Sequence, residues 1–224
     1  MTNVGFRIYT EINRVSKDLI DQFRGLPVAN IADNMNRSFC IGGNIKSFNN
    51  APLLGSAFTV KTRPGDNLLL NKAIDLALPG DVIVVEGHGD LNNALIGDLM
   101  VTWAQRRGIA GFVIDGAIRD SNDISNMDIP VYAPGTTPAG PYKDGPGEIN
   151  TIISCGGVSV SPGDIVVGDS DGIVVVSKEE AQNILEASYK TKEKEDKILS
   201  DINNGNWNRE WFDKHLHEKG CEYI

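Results

Sequence analysis

The chain has 224 residues, 41% of them hydrophobic, which is enough for one sizeable domain with a real core. A formal net charge of −9, with Arg106-Arg107 as the one basic cluster, argues against nucleic acid as the main partner, because phosphate binding needs clustered lysine and arginine. Cys40, Cys155 and Cys221 are widely spaced and form no Cys-x-x-Cys pair, so a disulfide framework is excluded and a reducing, cytoplasmic setting is expected. The stretch from Met1 to Arg7 lacks a signal-peptide core, and no apolar run approaches the ~18 residues of a membrane span, so no membrane partner is expected.

Ser16-Lys17-Asp18 predicts a helix start, with Leu19, Ile20 and Phe23 inward and Gly25 closing the helix before Pro27. A second short helix is predicted through Ile31, Ala32 and Met35. Residues 53–62 carry the β-branched and aromatic enrichment of a strand, and Pro64-Gly65 turns the chain toward a helix holding Leu68, Leu69, Ala73, Leu76 and Ala77. Pro79-Gly80-Asp81 then introduces Val82 to Val85, which reads as a central strand. Leu99, Met100, Trp103 and Ala104 fit one helical face that Gly108 ends, and the apolar run to Ile114 predicts a buried strand leaving into a turn at Asp115-Gly116. Strands follow at 129–133, 152–154, 158–160, 165–167 and 172–176, with a Gly/Pro-rich loop at 134–146 expected as a subunit contact or a cleft wall. Pro-Gly-Asp recurs at 64–66, 79–81 and 162–164 without a constant period, so these are recurrent turns rather than repeats. A solvated Glu/Lys-rich helix is predicted at 178–199. The expected organisation is one α/β domain with mixed sheets over residues 1–200, and an aromatic tail over 201–224 that docks on its own domain or on a neighbouring subunit. Trp207, Trp211 and Phe212 carry that tail, on a short helical pattern ended by Gly220.

The helix–strand unit between Asp98 and Arg119-Asp120 can return the chain so that two carboxylates and a guanidinium meet in one cleft. Each also has a plain structural reading. Asp98 can serve the helix dipole, Asp120 can cap the next helix, and Arg119 can pair with either. Glu86, His88 and Asp90 alternate at the end of a predicted strand, where they are metal ligands or an acid/base group, or simply part of a Gly-rich loop. Asp33 can cap or orient a cleft helix, and His215 and His217, two apart, read as surface residues.

Asp98, the twenty residues after it, and Arg119-Asp120 resemble the Asp-x20-Arg-Asp signature of the RraA-like family. That family holds class II 4-hydroxy-4-methyl-2-oxoglutarate and 4-carboxy-4-hydroxy-2-oxoadipate aldolases together with ribonuclease regulators. Asn30-Ile31-Ala32-Asp33, Gly65-Asp66-Asn67, Pro79-Gly80-Asp81-Val82, Gly145-Pro146-Gly147-Glu148-Ile149-Asn150, Pro162-Gly163-Asp164 and Gly168-Asp169-Ser170-Asp171-Gly172 match it in order, over roughly residues 15–185. Glu148 matches the pattern without a role carried onto it. The resemblance implies a three-layer β/β/α fold of the swivelling-domain type. It implies a lyase that cleaves a small 2-oxo acid or decarboxylates oxaloacetate, with Mg²⁺ or Mn²⁺ on Asp120, Arg119 at the growing negative charge and Asp98 as a proton relay through water. The amides around Gly97, Asp98, Leu99 and Met100 would receive the substrate carboxylate. A homotrimer or homohexamer is implied, and the alternative function is a non-catalytic regulator that binds and inhibits a ribonuclease.

Overall fold

The structure, a computed structural model, describes residues 3–49, 51–222 and 224. Its elements in chain order are β1 (Phe6–Ile8), α1 (Lys17–Asp21), α2 (Val28–Asp33), β2 (Lys46–Ser47), β3 (Leu53–Thr62), α3 (Leu68–Leu76), β4 (Asp81–Ile96), α4 (Asp98–Arg106), β5 (Gly111–Ile118) and α5 (Ser121–Ser125). They continue with β6 (Val131–Ala133), β7 (Gly135–Thr136), β8 (Gly147–Ile149), β9 (Ile153–Cys155), β10 (Val158–Val160), β11 (Ile165–Gly168), β12 (Ile173–Val176), α6 (Ala181–Asn203) and α7 (Glu210–Glu218).

Ten strands join one mixed sheet along the path β1-β8-β3-β4-β5-β6-β2, with β11 joined to β3 and β12, and β7 to β5. β3, β4, β5 and β6 run parallel, so their connections cross over the sheet, and α3 and α4 make the first two crossings. Alternation along these strands sorts the core into two faces. Phe58, Val60, Ile83, Val85, Phe112 and Ile114 pack with Leu70, Ala73, Val101 and Ala104 of the helices. Ala57, Val82, Val84 and Val113 point the other way, onto Ile153, Val158 and Val160 of the separate β9–β10 hairpin. The result is the expected three-layer β/β/α arrangement with a mixed sheet. A third cluster seats Phe23, Ile31 and Leu185 against Val167, Val174 and Val176.

Two strands run further than their composition suggests. Asp115-Gly116 lies inside β5, not in a turn, because Ala117 and Ile118 beyond it are fully buried and continue the ladder. Gly116 makes room instead, since a Cβ there would lie 2.9 Å from Leu95 Cδ1. β4 likewise runs past Val85 through Glu86 to Ile96, with register shifts against β5 between Glu86, Asp90, Ala94 and Ile96. The three Pro-Gly-Asp segments are turns, as expected. Gly65, Gly80 and Gly163 all have positive φ, and each following aspartate folds back, buried, onto backbone amides: Asp66 onto Leu68, Asp81 onto Leu78 and Asp164 onto Ser161.

α6 buries only Ala181, Leu185 and Ser188, so most of its charged surface is solvated as predicted. Gly220 follows α7 with φ +74°, and Trp211 stacks on Phe212 at 3.7 Å, yet no residue of α7 is buried. Among the described residues no helix is long and apolar enough to cross a membrane.

Candidate active site

The site is built where β4 and β5 end. Gly97 ends β4 in an extended conformation and serves as the N-cap of α4, whose first residue is Asp98. On the neighbouring strand, Arg119 and Asp120 follow Ile118, and the Arg119 amide donates to the Ile96 carbonyl at 3.0 Å, tying the two strand ends together. Asp120 adopts a left-handed backbone, φ +54° and ψ +37°, which is uncommon for a residue with a Cβ. It occupies the N-cap position of α5 but makes no capping bond there. Its Oδ2 instead accepts from the Asp98 amide at 3.3 Å and lies 3.4 Å from Arg119 Nε. The carboxylate is therefore turned away from α5 and toward the N-terminus of α4, and the strained backbone is what aims it there.

Gly97 makes this meeting possible. A Cβ at that position would lie 2.4 Å from Asp120 Oδ2 and 3.0 Å from Arg119 Nε. Asp98, Arg119 and Gly97, with Leu99 and Met100, line a cavity of about 420 Å³. Asp120 adjoins this cavity through the Asp98 amide and Arg119. All six residues expected from the sequence thus gather at one point.

Lys143, Asn67 and Asn71 complete the cavity and were not singled out by the sequence. Lys143 sits in the Gly/Pro-rich segment, where no spacing rule marks a functional lysine, although a cleft wall was the expected role for that segment. Gly65-Asp66-Asn67 was the available signal for Asn67. Its Nδ2 donates to the Leu95 carbonyl at 2.9 Å, while its Oδ1 is buried without a partner among the described residues.

Asp66 fixes the wall that carries Lys143. Fully buried, it accepts from the amides of Leu68 at 2.9 Å, Asp144 at 2.8 Å and Gly145 at 2.9 Å, and Arg63 lies 3.2 Å away. Burial alone would raise its pKa, but those three amides and Arg63 outweigh it and hold the group below the usual carboxylate value. Because the folded pKa is depressed, Asp66 stabilises the fold above its unfolded pKa, and that contribution is lost as pH falls through the lower folded value. Asp66→Asn places an amide against N–H donors and is expected to cost about 2–4 kcal/mol. Thermal melts should show the loss at neutral pH and a shrinking difference from wild type in acid.

Glu86, His88 and Asp90 do not converge as metal ligands. The backbone of His88 is left-handed, φ +61°, and this bulge breaks the alternation that would have put the three on one face. Glu86 instead lies beside Asp115 of β5, with Lys61 Nζ at 3.5 Å, His88 Nδ1 at 3.8 Å and the Ser154 amide at 3.4 Å. Burial and the neighbouring Glu86 push the Asp115 carboxyl up, against the opposing Gly156 amide and His88. With a raised folded pKa, ionised Asp115 weakens the fold as pH rises through that value. Asp115→Asn should therefore melt higher than wild type at neutral pH, and the two should converge in acid. Glu148 accepts the Gly5 amide at 3.1 Å, Asp33 pairs with Arg37 at 2.7 Å on the surface, and His215 and His217 are exposed.

Among the described residues no group of three or more His, Cys, Asp or Glu forms a metal cage. The donor set at Asp120 suits a different kind of site, because Mg²⁺ and Mn²⁺ keep several waters and take one or two carboxylates. Asp120 offers one hard oxygen ligand, and the Asp98 carboxylate nearby has no partner among the described residues. Those residues fit a hydrated divalent cation.

The parallel strands β3 to β6 of the mixed sheet set this polar constellation in the crevice beyond the carboxyl ends of β4 and β5, the arrangement of an α/β protein. The chain belongs to the RraA-like family, whose description is Aldolase/RraA and whose model matches residues 28–175. It is 42% identical over 188 residues to a Halalkalibacterium halodurans protein named "Putative 4-hydroxy-4-methyl-2-oxoglutarate aldolase", covering 82% of this chain and 90% of that one. The structure of the RNA-processing inhibitor RraA from Thermus thermophilis superposes with a TM-score of 0.63 at 30% identity, covering 67% of this chain and 92% of that one. An uncharacterised protein of Pseudomonas syringae superposes with a TM-score of 0.76 at 25% identity, covering 87% and 96%.

Proposed function

We propose that the protein is a divalent-metal-dependent lyase that releases pyruvate from a 2-oxo dicarboxylic or tricarboxylic acid. The reaction is retro-aldol cleavage of 4-hydroxy-4-methyl-2-oxoglutarate-like acids, decarboxylation of oxaloacetate, or both, since either bond cleavage leaves the same pyruvate enolate. The observation that carries this reading is the meeting of Asp98, Arg119 and Asp120 at the N-terminus of α4, beside a cavity that Asp98 and Arg119 line. The name of the Halalkalibacterium relative supports the lyase class.

In this reading Asp120 holds the metal, Mg²⁺ or Mn²⁺, which supplies Lewis-acid polarisation of the 2-oxo group. The N-terminal amides of α4 receive the substrate carboxylate, aided by the helix dipole. Arg119 faces the oxygen on which negative charge grows as the carbon–carbon bond breaks. Asp98 moves a proton through water, to or from the substrate hydroxyl in the aldol case. Lys143 and Asn71 line the rest of the cavity and suit the distal carboxylate of a dicarboxylic acid.

A lactate-dehydrogenase-coupled assay with Mg²⁺ or Mn²⁺ on oxaloacetate and on 4-hydroxy-4-methyl-2-oxoglutarate tests the reading. Pyruvate formation above the metal-only control is expected with one or both, and its absence with both would remove the lyase assignment. The competing reading is a ribonuclease-binding regulator, favoured by the likeness to the Thermus RNA-processing inhibitor and by the acidic charge that a basic RNA-binding segment would attract. Capture of a ribonuclease by Asp120→Ala as well as by an inactive wild type would support that reading.

The lyase is proposed to work as a trimer or a pair of stacked trimers in a reducing, cytoplasmic setting, consistent with three free cysteines. Trp207 and Trp211 of the exposed tail, on the α7 side, would then be covered by a neighbouring subunit. Light scattering should give a multiple of the 24.2 kDa chain mass, and a monomer at micromolar concentration would refute the assembly.

A further inference from the structure

Asn67 joins three walls of the cavity that Asp98 and Arg119 line, and the proposed lyase chemistry gives it no role. It is 3% exposed. Its backbone amide donates to the Tyr142 carbonyl at 3.0 Å, on the loop that carries Lys143, and its carbonyl accepts from the Asn71 amide at 2.9 Å and from Asn71 Nδ2 at 3.0 Å in α3. The side chain reaches the third wall. Its Nδ2 donates to the Leu95 carbonyl at 2.9 Å and lies 3.4 Å from Met100 Sδ, and Leu95 and Met100 enclose the turn from β4 into α4.

The Leu95 carbonyl needs a donor from outside the sheet. Ile96 gives its carbonyl to the Arg119 amide on the β5 side, so by the alternation of a strand the Leu95 carbonyl faces the other way. β3 has already ended there, its last pairing with β4 being Lys61 with Glu86. Asn67 Nδ2 takes the place of the missing strand. Turning the amide over would set oxygen against oxygen, so its orientation is fixed, and Oδ1 is left buried without a partner among the described residues. Starting α3 is not the side chain's task. Asn67 is the N-cap residue of that helix but makes no side-chain capping bond, and the Leu68 amide is taken by Asp66 Oδ1 instead.

We infer that Asn67 is a positioning residue, whose amide holds the β4–α4 turn so that the N–H groups at the start of α4 meet a substrate carboxylate beside Arg119. This rests on the carboxylate-receiving role proposed for those N–H groups. Asn67 makes no hydrogen bond with the proposed metal ligand Asp120 among the described residues, so anion affinity should depend on it and metal affinity should not.

Oxalate, which has the shape and charge of the pyruvate enolate, is the probe. Calorimetry on the full chain measures Mn²⁺ affinity alone and oxalate affinity at saturating Mn²⁺, for wild type, Asn67→Ala and Asn67→Asp, at neutral pH and in mild acid. Asn67 has φ −122° and no capping bond to lose, so Asn67→Ala should fold. At neutral pH it is expected to bind oxalate about fivefold to tenfold more weakly than wild type, with Mn²⁺ affinity within about twofold. Asn67→Asp faces the Leu95 carbonyl with a carboxylate and should bind oxalate more weakly still. In mild acid its protonated carboxyl can donate where the amide did, and oxalate affinity should return to within about threefold of wild type at the same pH. Should Asn67→Asp fail to fold, Asn67→Ala decides alone. The inference is overturned if the variants bind oxalate as wild type does, if Mn²⁺ and oxalate affinities fall in parallel, or if acid restores nothing to a folded Asn67→Asp. Wild type that binds Mn²⁺ but no oxalate gives a different result, which removes the lyase reading and this inference with it.

Discussion

Arg119→Lys is expected to lower the turnover number by roughly 10²–10³ at saturating metal, the loss typical of misplacing a single donor to a developing oxyanion. The substitution keeps the charge. What it removes is the planar fork, and the geometry shows why that matters here: Nε lies 3.4 Å from Asp120 Oδ2, so the guanidinium is oriented through that edge while Arg119 also lines the cavity. An ammonium at the end of a flexible stem can answer Asp120 or the substrate oxygen, but it cannot be fixed between them. Metal affinity, measured separately by calorimetry, should change little, because Arg119 contributes no ligand. A variant whose saturated rate equals wild type while its metal affinity collapses would show that the roles of Arg119 and Asp120 have been exchanged.

Gly97→Ala should be nearly as damaging to activity and far milder to the fold. The added Cβ would lie 2.4 Å from Asp120 Oδ2, closer than real Cβ contacts allow, and 3.0 Å from Arg119 Nε, tighter than most. Both of those atoms belong to side chains that are partly exposed and can swing aside. The backbone of Gly97 is extended, φ −144°, so alanine brings no torsional strain. The overlap is therefore relieved by displacing the two side chains to which the proposed metal and oxyanion roles are given, and an error of about 1 Å in such a group costs on the order of 10²-fold in rate. Thermal melting within about 2 °C of wild type together with a large loss of activity is the expected pair of results. An active variant would mean that the Asp120 carboxylate does not work from the position it occupies beside Gly97.

Much of this site was legible because its signals are local. Gly97 and Gly108 with φ +77° bracket α4, although its buried face carries Val101 and Ala104 rather than the expected Leu99 and Trp103, which are exposed, and the buried run into β5 brings Arg119-Asp120 back beside Asp98. The sequence was silent where long-range pairing decides. Asp115-Gly116 has turn composition, yet burial of Ala117 and Ile118 carries the strand through it. Glu86, His88 and Asp90 alternate as strand residues on one face would, but the bulge at His88 depends on how β4 meets β5, which no spacing within β4 reveals. β1 and β8 are three-residue strands whose pairing is fixed by partners distant in sequence, Phe6 with Gly147 and Thr62 with Gly147. Lys143 reaches the site on a loop held by distant partners, among them Asp66, seventy-eight residues before Asp144, and Gly65, whose carbonyl accepts from the Tyr142 amide. The aromatic tail was recognisable as helical, and α7 buries none of its residues against the domain.

Whether Asp120 is the metal ligand of a pyruvate-releasing enzyme is tested most directly by one titration. Pyruvate formation from oxaloacetate is followed as Mn²⁺ is raised, for wild type and for Asp120→Ala, after subtraction of the metal-only rate at each concentration. A saturable curve is expected for wild type and, for the variant, a curve displaced to at least about tenfold higher Mn²⁺ with partial recovery of rate, since affinity is lost before geometry. Superimposable curves for the two proteins, or a wild-type rate independent of added metal after chelation, would contradict the assignment.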